Sequence, residues 1–165
     1  MSAITIIYGS SMGNTKSAAE EIASALSAHS VKSIDVSEAS KEDFESAEAL
    51  ILGTSTWGVG DLQDDWESGI DTLKSANISG KKVALFGCGD SDSYCDTFVD
   101  GMGIIFEAVE EASATVVGKV STDGYSYSAS RAEVNGEFVG LALSDSDSDN
   151  SDKISAWVDS ISSQL

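Results

Sequence analysis

The sequence predicts an α/β protein: a three-layer doubly wound fold around a five-stranded parallel sheet, its fifth strand interrupted by an insertion. Three observations lead there. Apolar runs alternate with amphipathic helical stretches along the chain, the pattern of parallel strands joined by crossover helices. The run AEALILGT at 47–54 is apolar without alternation, as a strand covered on both faces must be. Loops rich in glycine and polar residues follow the first, third and fourth apolar runs, where an open parallel sheet collects its ligands.

AITIIY at 3–8 reads as a buried first strand. A helix is expected from Asn14 to about Ala28, with Ala18, Ala19, Ile22, Ala25 and Leu26 on one face. VKSIDV at 31–36 is a short second strand, and SKEDF is a polar connection or a single helical turn. The third strand, 47–54, leads into a long loop and a helix near 63–74. KKVALFGCG at 81–89 is the fourth strand, followed by a loop and a helix near 95–111. TVVGKV at 115–120 opens the fifth strand, and EFVGLAL at 137–143 reads as strand again. Between them, 121–136 is polar, dotted with aromatics and flanked by glycine, as an insertion would be. SDSDSDNSD at 144–152 is a solvated acidic loop before a last helix, with Ser151 or Asp152 as its N-cap. That helix carries Ile154, Trp157, Val158 and Ile161 at helical spacing.

The 165 residues suit one domain, 1–165. Nine Lys and Arg stand against 28 Asp and Glu, a net charge of −19. Such a surface repels nucleic acid and anionic membrane. It serves solubility, or it steers basic protein partners. No apolar run approaches the ~20 residues a membrane span needs. The N-terminal residues lack the basic segment and cleavage site of a secretory signal, so a cytoplasmic location is expected. Cys88 and Cys95 have no zinc-ligand spacing. With His29 as its only histidine and no nucleophile-elbow motif, the chain offers no hydrolase triad.

Three loops remain as chemistry-bearing candidates. The first, 9–15, is neither a Walker A loop nor GxGxxG. Its turning backbone, the helix N-terminus behind it and the side chains of Ser10, Ser11, Asn14 and Thr15 still suit a phosphate monoester. The second, TSTWGVGDLQDDWE, holds Trp57 outside any core periodicity, placed to stack on a flat ring, whereas Trp66 falls inside the next helix and packs there. The third, GCGDSDSYCD, presents Tyr94 in a similar place and Asp90 as an acceptor for a ring N–H.

These residues resemble the flavodoxins, the small FMN-containing electron carriers. GSSMGNT matches the phosphate loop, TSTWGVGDLQDDWE and GCGDSDSYCDTF the two flavin loops, and DGYSYSASRAEVNGEFVGLAL the insertion of the long-chain subgroup. The resemblance implies that Ser10, Ser11, Gly13, Asn14 and Thr15 hold the FMN phosphate and that Trp57 and Tyr94 flank the isoalloxazine. Residues 55–58 and 87–91 would bond its polar edge through the backbone, with Asp90 near N3. The cofactor-binding set so implied also includes Met12, Thr54, Ser55, Thr56, Gly58, Gly60, Gly87, Cys88, Gly89 and Asp96. Gly58 tolerates positive φ, so its carbonyl can turn toward the flavin N5. Met12 stands where the family usually has a hydroxyl, which shifts phosphate contacts toward the backbone. Asp145 or Asp147 would reach the ribityl chain, since Ser144 comes first after GLAL.

The function implied is a low-potential one-electron carrier rather than an enzyme, a monomer that shuttles electrons between redox proteins such as a flavodoxin reductase. Asp61, Asp64, Asp65, Glu67 and Asp71 would form the acidic rim where basic partners dock. The alternative on the same fold is an FMN-dependent NAD(P)H or quinone reductase, but no dinucleotide fingerprint or arginine pair is present. A phospho-receiver would need acidic residues at the ends of strands one and three, where Tyr8-Gly9-Ser10 and Gly53-Thr54 stand. A flavin-free interaction protein would be colourless.

Overall fold

The computed structural model describes residues 3–9, 14–57, 61–62, 64–89, 97–122, 125, 127–144 and 150–165, with backbone only for 14, 56, 57, 61, 62 and 64. Its elements run β1 (Ala3–Gly9), α1 (Asn14–Ala25), β2 (Ser30–Asp35), α2 (Lys41–Ser46), β3 (Ala49–Trp57), β4 (Asp61–Leu62), α3 (Asp64–Ser75) and β5 (Lys82–Gly89). Then follow α4 (Asp100–Glu111), β6 (Thr115–Val117), β7 (Val120–Ser121), β8 (Glu133–Val134), β9 (Glu137–Phe138), β10 (Leu141–Ser144) and α5 (Asn150–Ile161).

The central sheet has the order β10-β5-β3-β1-β2, all parallel. Its fifth position is shared. β6 pairs with Lys82–Ala84 of β5, and β10 resumes opposite Phe86–Gly89 of the same strand. Ile4, Ile6, Ile51, Ala84 and Phe86 face α1 and α5 in one buried cluster. Ile7, Leu50, Leu52, Val83 and Leu85 face α3 and α4 in another. Alternate residues of β1, β3 and β5 thus feed two separate cores, and this is why these strands are largely apolar, whereas β2, at the sheet edge, buries none of its residues.

The predicted fold class holds, with shifts at element ends. α1 stops at Ala25 and a turn carries the chain to His29, whose Nε2 lies 3.1 Å from Ser162 Oγ. SKEDF is a helix: the Ser40 N–H and hydroxyl both donate to the Asp43 carboxylate, at 2.8 and 3.0 Å. The third strand runs on to Trp57 and returns through β4, with Thr56 opposite Leu62 and Trp57 opposite Asp61. What reads in sequence as one long loop is therefore the arm of an antiparallel hairpin. α4 begins only at Asp100, after Val99 in the left-handed region (φ 48°). α5 begins at Asn150, so Ser151 and Asp152 lie in its first turn rather than at its cap.

The insertion departs earlier and rejoins later than 121–136. The chain leaves the sheet at Gly118, whose φ of +80° only glycine adopts without strain. β7, β9 and β8 form a small antiparallel sheet. Asn135 and Gly136, both at positive φ, close the two-residue turn between β8 and β9, as a type I′ hairpin requires. EFVGLAL is thus two strands in two sheets. Phe138 packs with Phe98, Tyr125 and Tyr127 and anchors the insertion to the α4 side.

Candidate functional site

The sheet register draws the strand ends into one line. Gly9 stands opposite Thr54, Thr54 opposite Gly87, Ser55 opposite Cys88, and Gly89 opposite Ser144. At ~4.8 Å between neighbours, the four chain segments leaving this rim start within about 15 Å of one another. The backbone alone therefore brings together the three loops singled out in the sequence, plus the one before α5.

Six of the sequence-derived site residues are described with their side chains here. Thr15 is in the first turn of α1 and only 1% exposed, yet its Oγ1 has no hydrogen-bond partner among the described residues. Ser55 Oγ, at the end of β3, is likewise buried without a partner. The buried Thr54 hydroxyl donates to the Ser55 carbonyl at 3.0 Å, so it is already engaged. Cys88 is buried on the α1/α5 face and is in no disulfide. Gly87 and Gly89 face α4: a Cβ on Gly87 would stand 2.9 Å from Met102 Cβ, and one on Gly89 3.2 Å from the Val99 nitrogen. These two glycines let the first turn of α4 close onto the rim. Asn14, Thr56 and Trp57 are placed by backbone. Ser10, Ser11, Met12, Gly13, Gly58, Gly60, Asp90, Tyr94 and Asp96 lie outside the described residues, as do Cys95, Asp145 and Asp147.

Two rim residues escape a sequence reading. Asn150 starts α5 and donates from Nδ2 to the Ser144 carbonyl at 2.9 Å, while its Oδ1 is buried and unpartnered. Thr97 Oγ1 is also buried without a partner. The only sequence signal for Asn150 is an N-cap residue type in a run of such residues. Below the rim, a cavity of about 220 Å³ opens between α1 and α5, lined by Ser17, Glu21, Cys88, Leu143, Asn150 and Ile154. Four buried polar atoms lack a partner among the described residues, on Thr15, Ser55, Thr97 and Asn150, and an unpaired buried hydroxyl costs about 1–3 kcal/mol, a cost that a polar ligand at the rim would lift.

Residues 6–157 match the model of the flavodoxin family. The chain belongs to that family. The flavodoxin of Trichodesmium erythraeum is 41% identical over 170 residues, covering 100% of this chain and 99% of its own. That of Helicobacter pylori is 41% identical over 164 residues, covering 98% and 97%. Among solved structures, Fusobacterium nucleatum flavodoxin bound to flavin mononucleotide superposes with a TM-score of 0.94 at 30% identity, covering 100% of this chain and 99% of that one.

In this flavodoxin the insertion also braces the rim. Phe98 N–H donates to the Ala129 carbonyl at 3.3 Å, and the Ser130 hydroxyl donates to the Phe98 carbonyl. The Arg131 N–H donates to Asp100 Oδ1 at 2.7 Å, and the Arg131 guanidinium pairs with Glu107 at 2.8 Å. Gly103 makes the approach possible, since a Cβ there would stand 2.6 Å from the Arg131 carbonyl carbon. The segment 97–103 that leaves the third candidate loop is therefore held from outside the sheet.

Asp100 is the electrostatic cost of that brace. Burial pushes its carboxyl above the ordinary aspartate value, against the opposing pull of the Arg131 N–H and charge. A raised carboxyl favours the folded state when protonated. Its contribution is complete below the ordinary value of 3.8 and is lost as pH rises through the higher folded value. Asp100→Asn keeps the acceptor for Arg131 and removes the titration. The variant is expected to unfold at a higher temperature than the parent at pH 7, with the gap narrowing on acidification. A gap that widens on acidification contradicts this.

Proposed function

We propose that this chain holds one FMN non-covalently at the C-terminal rim of its sheet and carries electrons, one at a time, between protein partners. The observation that carries the reading is the pair of buried, unpartnered hydroxyls on Thr15 and Ser55, set on the line where the sheet register gathers the flavin loops. FMN fits this chemistry, with phosphate oxygens as acceptors for Thr15 and the α1 N-terminus, and a flat polar-edged ring beyond β3 and β5.

Ser10, Ser11, Met12, Gly13, Asn14 and Thr15 would hold the phosphate. Trp57 and Tyr94 would cover the ring and exclude water, while the backbone of 55–58 and 87–91, with Asp90, would bond its edge. Gly60 and Asp96 complete the surrounding loops. When bound, FMN supplies the electron-accepting ring system; the protein supplies binding, orientation and field. The field is negative: 28 acidic residues outnumber nine basic ones, which disfavours an anion formed at the rim.

Partners are redox proteins, as for the family, and basic ones fit best. Glu67 and Asp71, four residues apart, share an exposed face of α3. With Asp61, Asp64 and Asp65 they would form the docking rim beside the Trp57 hairpin. Neutralising the pair as Glu67→Gln and Asp71→Asn should slow association with a basic redox protein several-fold at low salt and flatten its salt dependence. Stopped-flow rates indifferent to both changes would remove the cluster from docking. Among the described residues no helix is long and apolar enough to cross a membrane. The proposal includes a monomeric cytoplasmic protein, one FMN-binding unit from residue 1 to 165. NADPH added alone should leave the yellow protein oxidised; rapid bleaching without a partner reductase would favour the quinone-reductase alternative.

A further inference from the structure

The break in the edge strand leaves more than a point of departure for the insertion. Between Val117, where β6 ends, and Leu141, where β10 begins, no strand residue pairs with Leu85, and Gly140 instead passes against its carbonyl. α5 lies over this break. The Trp157 indole N–H donates to the Gly118 carbonyl at 2.8 Å, and Trp157 itself is 4% exposed. The result is a second cavity of about 380 Å³, within the range of small-molecule sites. It sits three residues along β10 before the rim, about 10 Å below it at 3.3 Å per residue.

Its walls are apolar: Val120, Leu141, Tyr125 and Trp157 line it. Its charges are Lys119 and Lys153, and no carboxylate stands among its described lining residues. In a chain of nine cations and 28 acids, this apolar cavity carries two lysines in its lining. Lys119 has no ion-pair or hydrogen-bond partner among the described residues. Lys153 lies over the Tyr125 ring, 4.4 Å from its centroid, and that ring is pinned because its hydroxyl donates to the Ala142 carbonyl at 2.6 Å. One ammonium thus lies over a fixed aromatic, and the other lines the same cavity.

We infer that this cavity binds a small amphiphilic organic anion, an aromatic or branched apolar body ending in one carboxylate. The body would take the Trp157–Leu141–Val120 wall, and the carboxylate would meet Lys119 and Lys153. Neither the flavin rim nor the acidic docking face takes part, so binding here and FMN binding are separable.

The test uses the FMN-loaded full chain and 2-naphthoate as probe, followed by the NMR signal of the Trp157 indole N–H. The expected result is a saturable shift, with the neutral analogue 2-naphthamide binding about tenfold more weakly, a difference of about 1.4 kcal/mol. The Lys119→Gln/Lys153→Gln double variant should bring naphthoate down to the level of the amide and leave amide affinity unchanged. These two lysines are outside the flavin site, so the visible spectrum checks that each variant is folded and loaded. No saturable shift up to about 10 mM, which sets affinity below ~3 kcal/mol, would overturn the inference. Equal binding of acid and amide in the parent would overturn it as well.

Discussion

Replacing Thr15 by valine is expected to stabilise the flavin-free protein and at the same time weaken its hold on FMN. Valine has the shape of threonine, and the two differ little in helix propensity. The Thr15 hydroxyl is buried with no partner, so its removal lifts a penalty of about 1–3 kcal/mol from the empty rim. A hydrogen bond to a charged phosphate is worth about 1.5–3 kcal/mol, so FMN affinity should fall roughly 10- to 150-fold. Riboflavin, which lacks the phosphate, should bind parent and variant alike. Urea unfolding of the stripped protein and fluorescence titration with the two flavins check the three statements. A destabilised variant with undiminished FMN affinity would mean that the hydroxyl serves the fold and not the ligand.

Trp66 governs the other large effect. It is fully buried on α3, and its indole N–H donates to the Gly53 carbonyl at 2.7 Å, one residue before Thr54 at the rim. Trp66→Ala empties a large volume and is expected to cost about 3–5 kcal/mol, lowering the melting temperature by roughly 10 °C in a chain of this size. Trp66→Phe keeps most of the filling and loses the hydrogen bond, at about 1–2 kcal/mol. Calorimetry on both variants separates the two contributions. Equal losses would show that the bond to Gly53, rather than packing, holds α3 against β3.

These residues also show what a sequence makes legible. Trp66 falls at a helical core position and is found buried there. Apolar continuity locates β1, β3 and β5 to within a few residues, because each must feed two cores at once, while the edge strand β2 carries a weaker signal since it buries none of its residues. The ends are harder. EFVGLAL reads as one strand, yet a Cβ on Gly140 would stand 2.1 Å from the Leu85 carbonyl oxygen. That close approach, a tertiary fact, divides the run between two sheets. The Trp57 hairpin is hidden for a related reason: its partner β4 is two residues long, too short to carry a period.

The candidate site divides in the same way. Its loops are visible as clusters of glycine and hydroxyl residues after apolar runs, and the register then lines them up. Asn150 and Thr97 are not visible, since an unpartnered buried atom is defined by what the rest of the chain fails to supply. The cavity at Lys119 and Lys153 is equally silent in sequence. The two lysines are 34 positions apart and meet only because the edge strand is broken.

The account rests on one physical claim. The rim clamps a planar flavin in surroundings with many carboxylates and few cations, so the last electron is hard to accept. Unit charges about 4 Å apart interact by about 4 kcal/mol at an effective dielectric of 20. A drop of roughly 200 mV for one electron corresponds to about 4.6 kcal/mol, so partial water exclusion and several more distant carboxylates suffice. Spectroscopic redox titration of the FMN-loaded protein measures this directly. The account predicts that the second electron enters roughly 200 mV below its potential in free FMN; an uptake of that electron at the potential of free FMN would contradict it.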